Sequence, residues 1–179
     1  PPPPPPPHPT RQSSSAASDV YKRQAIEDAS TFLENALIKA RNACLHTGLP
    51  SLADDSGLVV PALGGAPGIH SARYADGQGD EANNLKLLRA MEDMHGSDRA
   101  AYFHCVIVLM RSFDDPVPVV SAASWHGEIA TEVSGTGGFG YDPLFLLPEL
   151  GCTSAQLSKE DKGRLSHRGQ SIRQLLSRL

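Results

Sequence analysis

Cysteine is scarce and poorly spaced for metal work. The chain has three, Cys44, Cys105 and Cys152, with no Cys-x-x-Cys pair. That excludes a zinc module and a disulfide scaffold, and predicts a reduced intracellular protein. No apolar run approaches the ~18 residues that a membrane span needs, so no membrane partner is expected. Positive charge is not in excess either. Lys and Arg total 16 against 20 Asp and Glu, a formal net charge of -4. No basic field is left for nonspecific nucleic-acid binding, and a polyphosphate ligand needs a local cluster of cations or a metal ion. No internal repeat is visible. What remains is 179 residues, 40% hydrophobic, enough for one domain with a real core.

The first 24 residues differ from the rest. Seven consecutive prolines lead into His8-Pro9 and a Ser/Ala cluster. Proline lacks the amide donor and resists helix and sheet, so residues 1–24 are expected to be a disordered, solvated segment. The segment has neither the apolar stretch of a secretory signal nor an amphipathic transit pattern. We read it as a leader not native to the domain, which then occupies residues 25–179; a proline-rich recognition tail is the alternative.

Within that domain the first helix is announced by Thr31-Phe32-Leu33-Glu34, a capping box. Leu33, Ala36, Leu37, Ala40 and Cys44 recur at helical spacing, and Gly48-Leu49-Pro50 ends the run. A buried strand is expected over residues 51–54, leading through Asp55-Ser56-Gly57 into an apolar segment over 58–63, and then a loop over 64–68. Asp80 is positioned to cap a helix reaching about Met94, with Leu85, Leu88 and Met91 inward. Residues 100–110 are β-rich. His104-Cys105 inside that run predicts a pair facing opposite sides of a strand. Two further strands are expected over 117–125 and 127–133, and a short one over 144–147. Ser158 and Ser166 cap two closing helices, the last with Ile172, Leu175, Leu176 and Leu179 inward. Helices flanking a sheet make the class α/β (α+β).

Three clusters carry polar chemistry. In Ala53-Asp54-Asp55-Ser56-Gly57 two acids stand at the expected carboxyl end of a buried strand, where ligands collect in open α/β sheets. Adjacent strand residues face opposite sides, so only one acid points into a given site. A hard carboxylate suits Mg2+, and Glu27 is the better candidate for a second one, since Glu34 has the capping role. The alternative is an ordinary turn with one acid solvated. Residues 135–145 read Gly-Thr-Gly-Gly-Phe-Gly-Tyr-Asp-Pro-Leu-Phe. Here glycines free the backbone to approach a ligand, and Phe139 offers a stacking face. A plain turn is the alternative here too. The third cluster, residues 159–169, places Lys162, His167 and Arg168 around a helix N-terminus, which suits an anionic or carbonyl-bearing ligand. A solvated basic turn fits it equally well in isolation.

Together the motifs resemble the inosine triphosphate pyrophosphatase family, bacterial type. The match runs from Thr31-Phe32-Leu33-Glu34-Asn35-Ala36 with Lys39-Ala40, through Ala53-Asp54-Asp55-Ser56-Gly57-Leu58 and Gly64-Gly65-Ala66-Pro67-Gly68, to Ser71-Ala72-Arg73-Tyr74. It continues through Gly137 to Pro143 and Ser166-His167-Arg168-Gly169. The resemblance implies an elongated mixed β-sheet flanked by helices, in two lobes with a central cleft. It implies a cytoplasmic, Mg2+-dependent homodimer that hydrolyses deaminated purine nucleoside triphosphates to monophosphate and pyrophosphate. Carried over by motif, Asp55 is the catalytic acid and metal ligand, with Glu27 as second metal ligand. Ser56, Phe139, Gly140, Tyr141, Asp142, Lys162, His167 and Arg168 contact substrate.

Two departures stand out. The family's Thr/Ser-Gly-Asn-x-x-Lys loop, which grips the triphosphate, has no counterpart before Ala25, and Ala29 stands where the family has glycine. They imply an N-terminally truncated domain of reduced activity, with a noncatalytic nucleotide-binding or dimerising remnant as the alternative.

Overall fold

The computed structural model describes residues 29–179. Helix α1 spans Phe32–Thr47. Thr31 Oγ1 accepts from the Glu34 amide at 3.2 Å and donates to Glu34 Oε2 at 2.8 Å. The box therefore closes through the threonine hydroxyl rather than the Thr31 amide. Such a cap contributes about 1 kcal/mol. Ala36, Ala40 and Cys44 are buried as their spacing predicts, while Leu33 is exposed and Asn35 takes an inward position.

Five strands follow: β1 (Ser51–Val59), β2 (Ala100–Met110), β3 (Val119–Ile129), β4 (Phe145–Leu147) and β5 (Cys152–Thr153). Each pairs antiparallel with the next in chain order. The α/β class with flanking helices holds. The ladder among the described residues is antiparallel throughout rather than mixed. Its tight connections, such as the turn at residues 111–118 between β2 and β3, need only a few residues, which antiparallel pairing permits.

Two strand boundaries differ from expectation. β1 does not stop at residue 54, because its ladder to β2 runs unbroken from Ser51 opposite Met110 to Val59 opposite Tyr102. Asp54 and Asp55 therefore stand mid-strand. β3 is one strand where two were expected. Gly127 stays in register opposite Ala101, and a Cβ there would come within 2.5 Å of the Leu146 carbonyl on β4. Glycine marks a close approach of two strands here, not a break.

Helix α2 (Asp80–Ala90) starts after Gly79 with no side-chain cap, so Asp80 is its first residue rather than its cap. It ends before Met94 and buries Leu87, with Met91 just beyond it buried as expected and Leu85 exposed. Polar anchors cause the rotation. Buried Asn83 Oδ1 accepts from the Ala75 amide at 2.6 Å, and buried Asn84 Nδ2 donates to the Gly140 carbonyl at 2.8 Å. Helices α3 (Lys159–Leu165) and α4 (His167–Leu176) start at the predicted caps: Ser158 accepts from the Asp161 amide and Ser166 from the Gly169 amide. On α4 only Leu175 of the four expected residues is buried; Ile172, Leu176 and Leu179 are exposed. Small, buried Ser171 lets the helix close on the sheet. Its Oγ donates to the Cys105 carbonyl at 3.0 Å and its own carbonyl accepts from Ser121 Oγ at 2.9 Å.

The long strands β2 and β3 run through separate cores. One end of β2 packs Val106, Val108 and Met110 against α1, and Cys105 and Ile107 against Leu175 of α4. The other end packs Ala101 and Phe103 with Leu58, Leu87, Trp125, Leu144 and Phe145. His104 and Cys105 do face opposite sides. The His104 ring lies 5.5 Å from that of Phe32 on the α1 face, and Cys105 lies in the α4 core.

Candidate active site

Strand alternation separates the two acids of β1. Asp55 faces α1. Its Oδ1 accepts from Lys39 Nζ at 2.7 Å and its Oδ2 from Asn35 Nδ2 at 3.3 Å. Lys39 and Asn35 lie on one side of α1 four residues apart, which is why both reach the same carboxylate. Lys39 Nζ also donates to the Asp54 carbonyl at 3.2 Å, and Asn35 Oδ1 is buried with no partner among the described residues. The donor set is therefore carboxylate, carbonyl and amide oxygen, which suits a hard divalent cation. The described residues hold no cluster of three or more His, Cys, Asp or Glu able to bind a metal. A single carboxylate is compatible with Mg2+, which keeps several waters and takes substrate phosphates. Glu27 lies outside the described residues.

Asp54 faces the opposite way. Its Oδ2 accepts from Arg168 Nε at 3.1 Å, Arg168 Nη2 at 2.8 Å and Ser56 Oγ at 3.0 Å. Arg168 lies in the first turn of α4, so this ion pair ties the strand to the cluster around the Ser166 cap. Charge assistance makes it one of the stronger hydrogen-bonded contacts in the protein.

The glycine loop forms the far wall. Asp142 is its hub. Its Oδ2 accepts from the Phe139 amide at 2.7 Å and is ion-paired with Lys162, while its Oδ1 accepts from Ser154 Oγ at 2.6 Å. Gly138 has φ +77°, and a Cβ there would run into the Asp142 carboxylate and the Lys162 ammonium. Glycine is required by both the backbone conformation and the space. Phe139 at the tip is 66% exposed, with Lys162 Nζ 4.9 Å from its ring centre. That cation–π contact fixes the ammonium beneath a free aromatic face.

His167 opens α4. Its ring stacks on Phe103 at 4.8 Å and 11°. Burial, and then the charge of neighbouring Arg168, lower its pKa to about 4, so it is neutral at ordinary pH. Its Nδ1 is buried without a partner among the described residues. Phe139, Asp142, Lys162, His167 and Arg168 share one cleft of about 660 Å³.

Of the candidate residues, the structure thus gathers these five on the cleft and sets Ser56 beside Asp54. Asp55 is on the other face of β1, one residue away. Gly140 turns its peptide toward α2. The Tyr141 ring is in the core and its hydroxyl donates to the Ser71 carbonyl at 2.9 Å, so the hydroxyl is used by the fold. Sequence reasoning gave no role to Ser154, Asn35 or Lys39, although Asn35 and Lys39 both lay within the quoted motif. The signal available for α1 was its spacing, since residues 35 and 39 share one helix side.

Residues 8–178 match the Ham1 family. The chain belongs to that family. A dITP/XTP pyrophosphatase of Thioalkalivibrio sulfidiphilus is 56% identical over 163 residues, covering 90% of this chain and 83% of that protein. A dITP/XTP pyrophosphatase of Pseudomonas syringae pv. tomato is 56% identical over 153 residues, 86% of this chain and 78% of its own length. Among solved structures, a HAM1 protein from Coxiella burnetii superposes with a TM-score of 0.83 at 48% identity, covering 89% of this chain and 82% of that one. The Staphylococcus aureus Ham1 protein gives a TM-score of 0.82 at 44% identity, over 90% and 83%. The two sequence relatives carry the activity name that the sequence motifs resemble. No helix among the described residues is long and apolar enough to cross a membrane.

Proposed function

We propose that this chain hydrolyses deaminated purine nucleoside triphosphates (inosine, deoxyinosine and xanthosine forms) to the monophosphate and pyrophosphate, removing them from the nucleotide pool. The observation that carries the reading is the cleft itself: an exposed aromatic face, an ammonium, a neutral imidazole with a nitrogen unpartnered among the described residues, and a guanidinium on one cavity. The activity printed in the names of the sequence relatives supports it.

The base stacks on Phe139, a contact worth ~1–3 kcal/mol by analogy with single-strand binders. A 6-keto purine presents an acceptor where adenine presents an amino donor. Lys162 and Arg168 are donors only, and a neutral imidazole offers one donor and one acceptor. Donors aimed at the keto oxygen are left unpaired by adenine, and sites of this kind reject the wrong partner by ~10⁴-fold or more.

Asp55 is the proposed base. Lys39 and Asn35 hold its carboxylate from two sides, fixing its direction. It takes a proton from the attacking water as the water oxygen bonds to the α-phosphorus. The bond to the bridging oxygen breaks and pyrophosphate leaves with that electron pair. Mg2+, when bound at Asp55 with Glu27 as second carboxylate, supplies neutralisation of phosphate charge and orientation of the water. The same reading makes the protein a homodimer working in the cytoplasm.

The test is pyrophosphate release with Mg2+ from inosine triphosphate and adenosine triphosphate in parallel. We expect release from the inosine substrate at least about 100-fold faster per unit concentration. Equal rates, or release from neither substrate, overturn the reading.

A further inference from the structure

The loop that carries Phe139 is held from behind as well as from the cleft. The Gly140 amide donates to Asp80 Oδ2 at 2.6 Å, and the Gly140 carbonyl accepts from Asn84 Nδ2 at 2.8 Å. Asp80 opens α2 and Asn84 stands one turn on, so helical spacing sets the two side chains next to each other. Asn84 Nδ2 also donates to the Asp80 carbonyl at 2.9 Å, joining loop and helix turn through one amide. Both polar groups of Gly140 are thus bound to α2.

This matters because packing does not place the Phe139 ring, which is mostly exposed. Its position follows from its backbone. That backbone is fixed on the cleft side by the Phe139 amide on Asp142, and on the outer side by Gly140 on α2. With φ of +77° at Gly138 and +61° at Gly140, the flanking residues give the ring little stiffness of their own.

We propose that Asp80 and Asn84 are positioning residues for the nucleobase: by clamping the Gly140 peptide they set where the Phe139 ring stands. The inference rests on the nucleoside triphosphate reading above. Because the clamp touches neither phosphates nor Asp55, it governs binding of the base rather than the chemical step. A misplacement of about 1 Å is enough to weaken a positioned contact severely.

Asp80→Ala and Asn84→Ala are compared with the wild-type chain in dITP turnover and in calorimetric binding of inosine monophosphate. KM and the Kd for the monophosphate are expected to rise roughly tenfold with kcat within about twofold, as for the loss of a hydrogen bond made in ground and transition states alike. Asp80→Asn keeps an acceptor for the Gly140 amide and is expected within about twofold of wild type. Unchanged KM and Kd in both alanine variants overturn the clamp. So does a parallel loss of kcat and melting temperature that Asp80→Asn shares, which marks a folding role. A wild-type chain that neither turns over dITP nor binds the monophosphate refutes the nucleotide reading itself, and the clamp with it.

Discussion

Asp54 and Asp55 are consecutive residues with opposite surroundings. Asp55 has a side chain 11% exposed, gripped by the lysine and asparagine of a helix that precedes it in the chain. Asp54 is 33% exposed and holds the guanidinium of Arg168, 114 residues downstream. The same chemical group, alternated across one strand, is built into two networks. Asp55 is braced by helix α1, which contributes no residue to the cleft around Phe139. Asp54 is braced by the helix whose N-terminus lines that cleft. On the proposed reading the sheet divides labour by face, with chemistry on one side of β1 and base recognition on the other.

The largest effect should come from Asp55→Asn. It keeps the shape and removes the base, so dITP turnover is expected to fall by about 10²–10⁴-fold, read as initial rates of pyrophosphate release. A loss under about tenfold would take the chemistry away from this carboxylate. Asp54→Asn is the next step down. Arg168 loses a charge-assisted partner, and KM is expected to rise roughly tenfold while kcat stays within a few-fold. If kcat falls as far as in Asp55→Asn, the division by face is wrong.

The smallest effect sharpens the picture of the Asp54 side. His167 titrates near 4 when folded, chiefly through burial, against 6.5 when free. Between those values the unfolded chain binds more protons, so stability is full above about pH 6.5 and declines as pH falls toward 4. The full span is worth at most about 3 kcal/mol. Denaturant midpoints at pH 7 and pH 4.5 should differ less in His167→Gln than in the wild-type chain. An identical difference in both would show that this ring is not the buried neutral group described.

Much of the fold was legible because it is locally encoded. The caps at Thr31, Ser158 and Ser166 and the apolar run of β2 each depend on a few neighbouring residues. The inner faces of α2 and α4 were legible only in part, with Met91 and Leu175 buried as expected. There Asn83, Asn84 and Ser171 take buried positions that leucines were expected to fill, through hydrogen bonds to distant carbonyls and amides. The mid-strand setting of Asp54 and Asp55 was likewise hidden, since the length of β1 is decided by its partner β2. In the site, residue types pointed to Phe139, Lys162, His167 and Arg168. They did not reveal that Asp142 braces the loop amide and Lys162 together, because that role appears only when residues 139, 154 and 162 meet.

Whether the two carboxylates separate binding from chemistry is read by calorimetric titration of inosine monophosphate into the wild-type chain, Asp55→Asn and Asp54→Asn. Asp55→Asn is expected to bind within about twofold of wild type, while Asp54→Asn weakens binding roughly tenfold. Equal loss of affinity in both variants, or loss in Asp55→Asn alone, would contradict that separation.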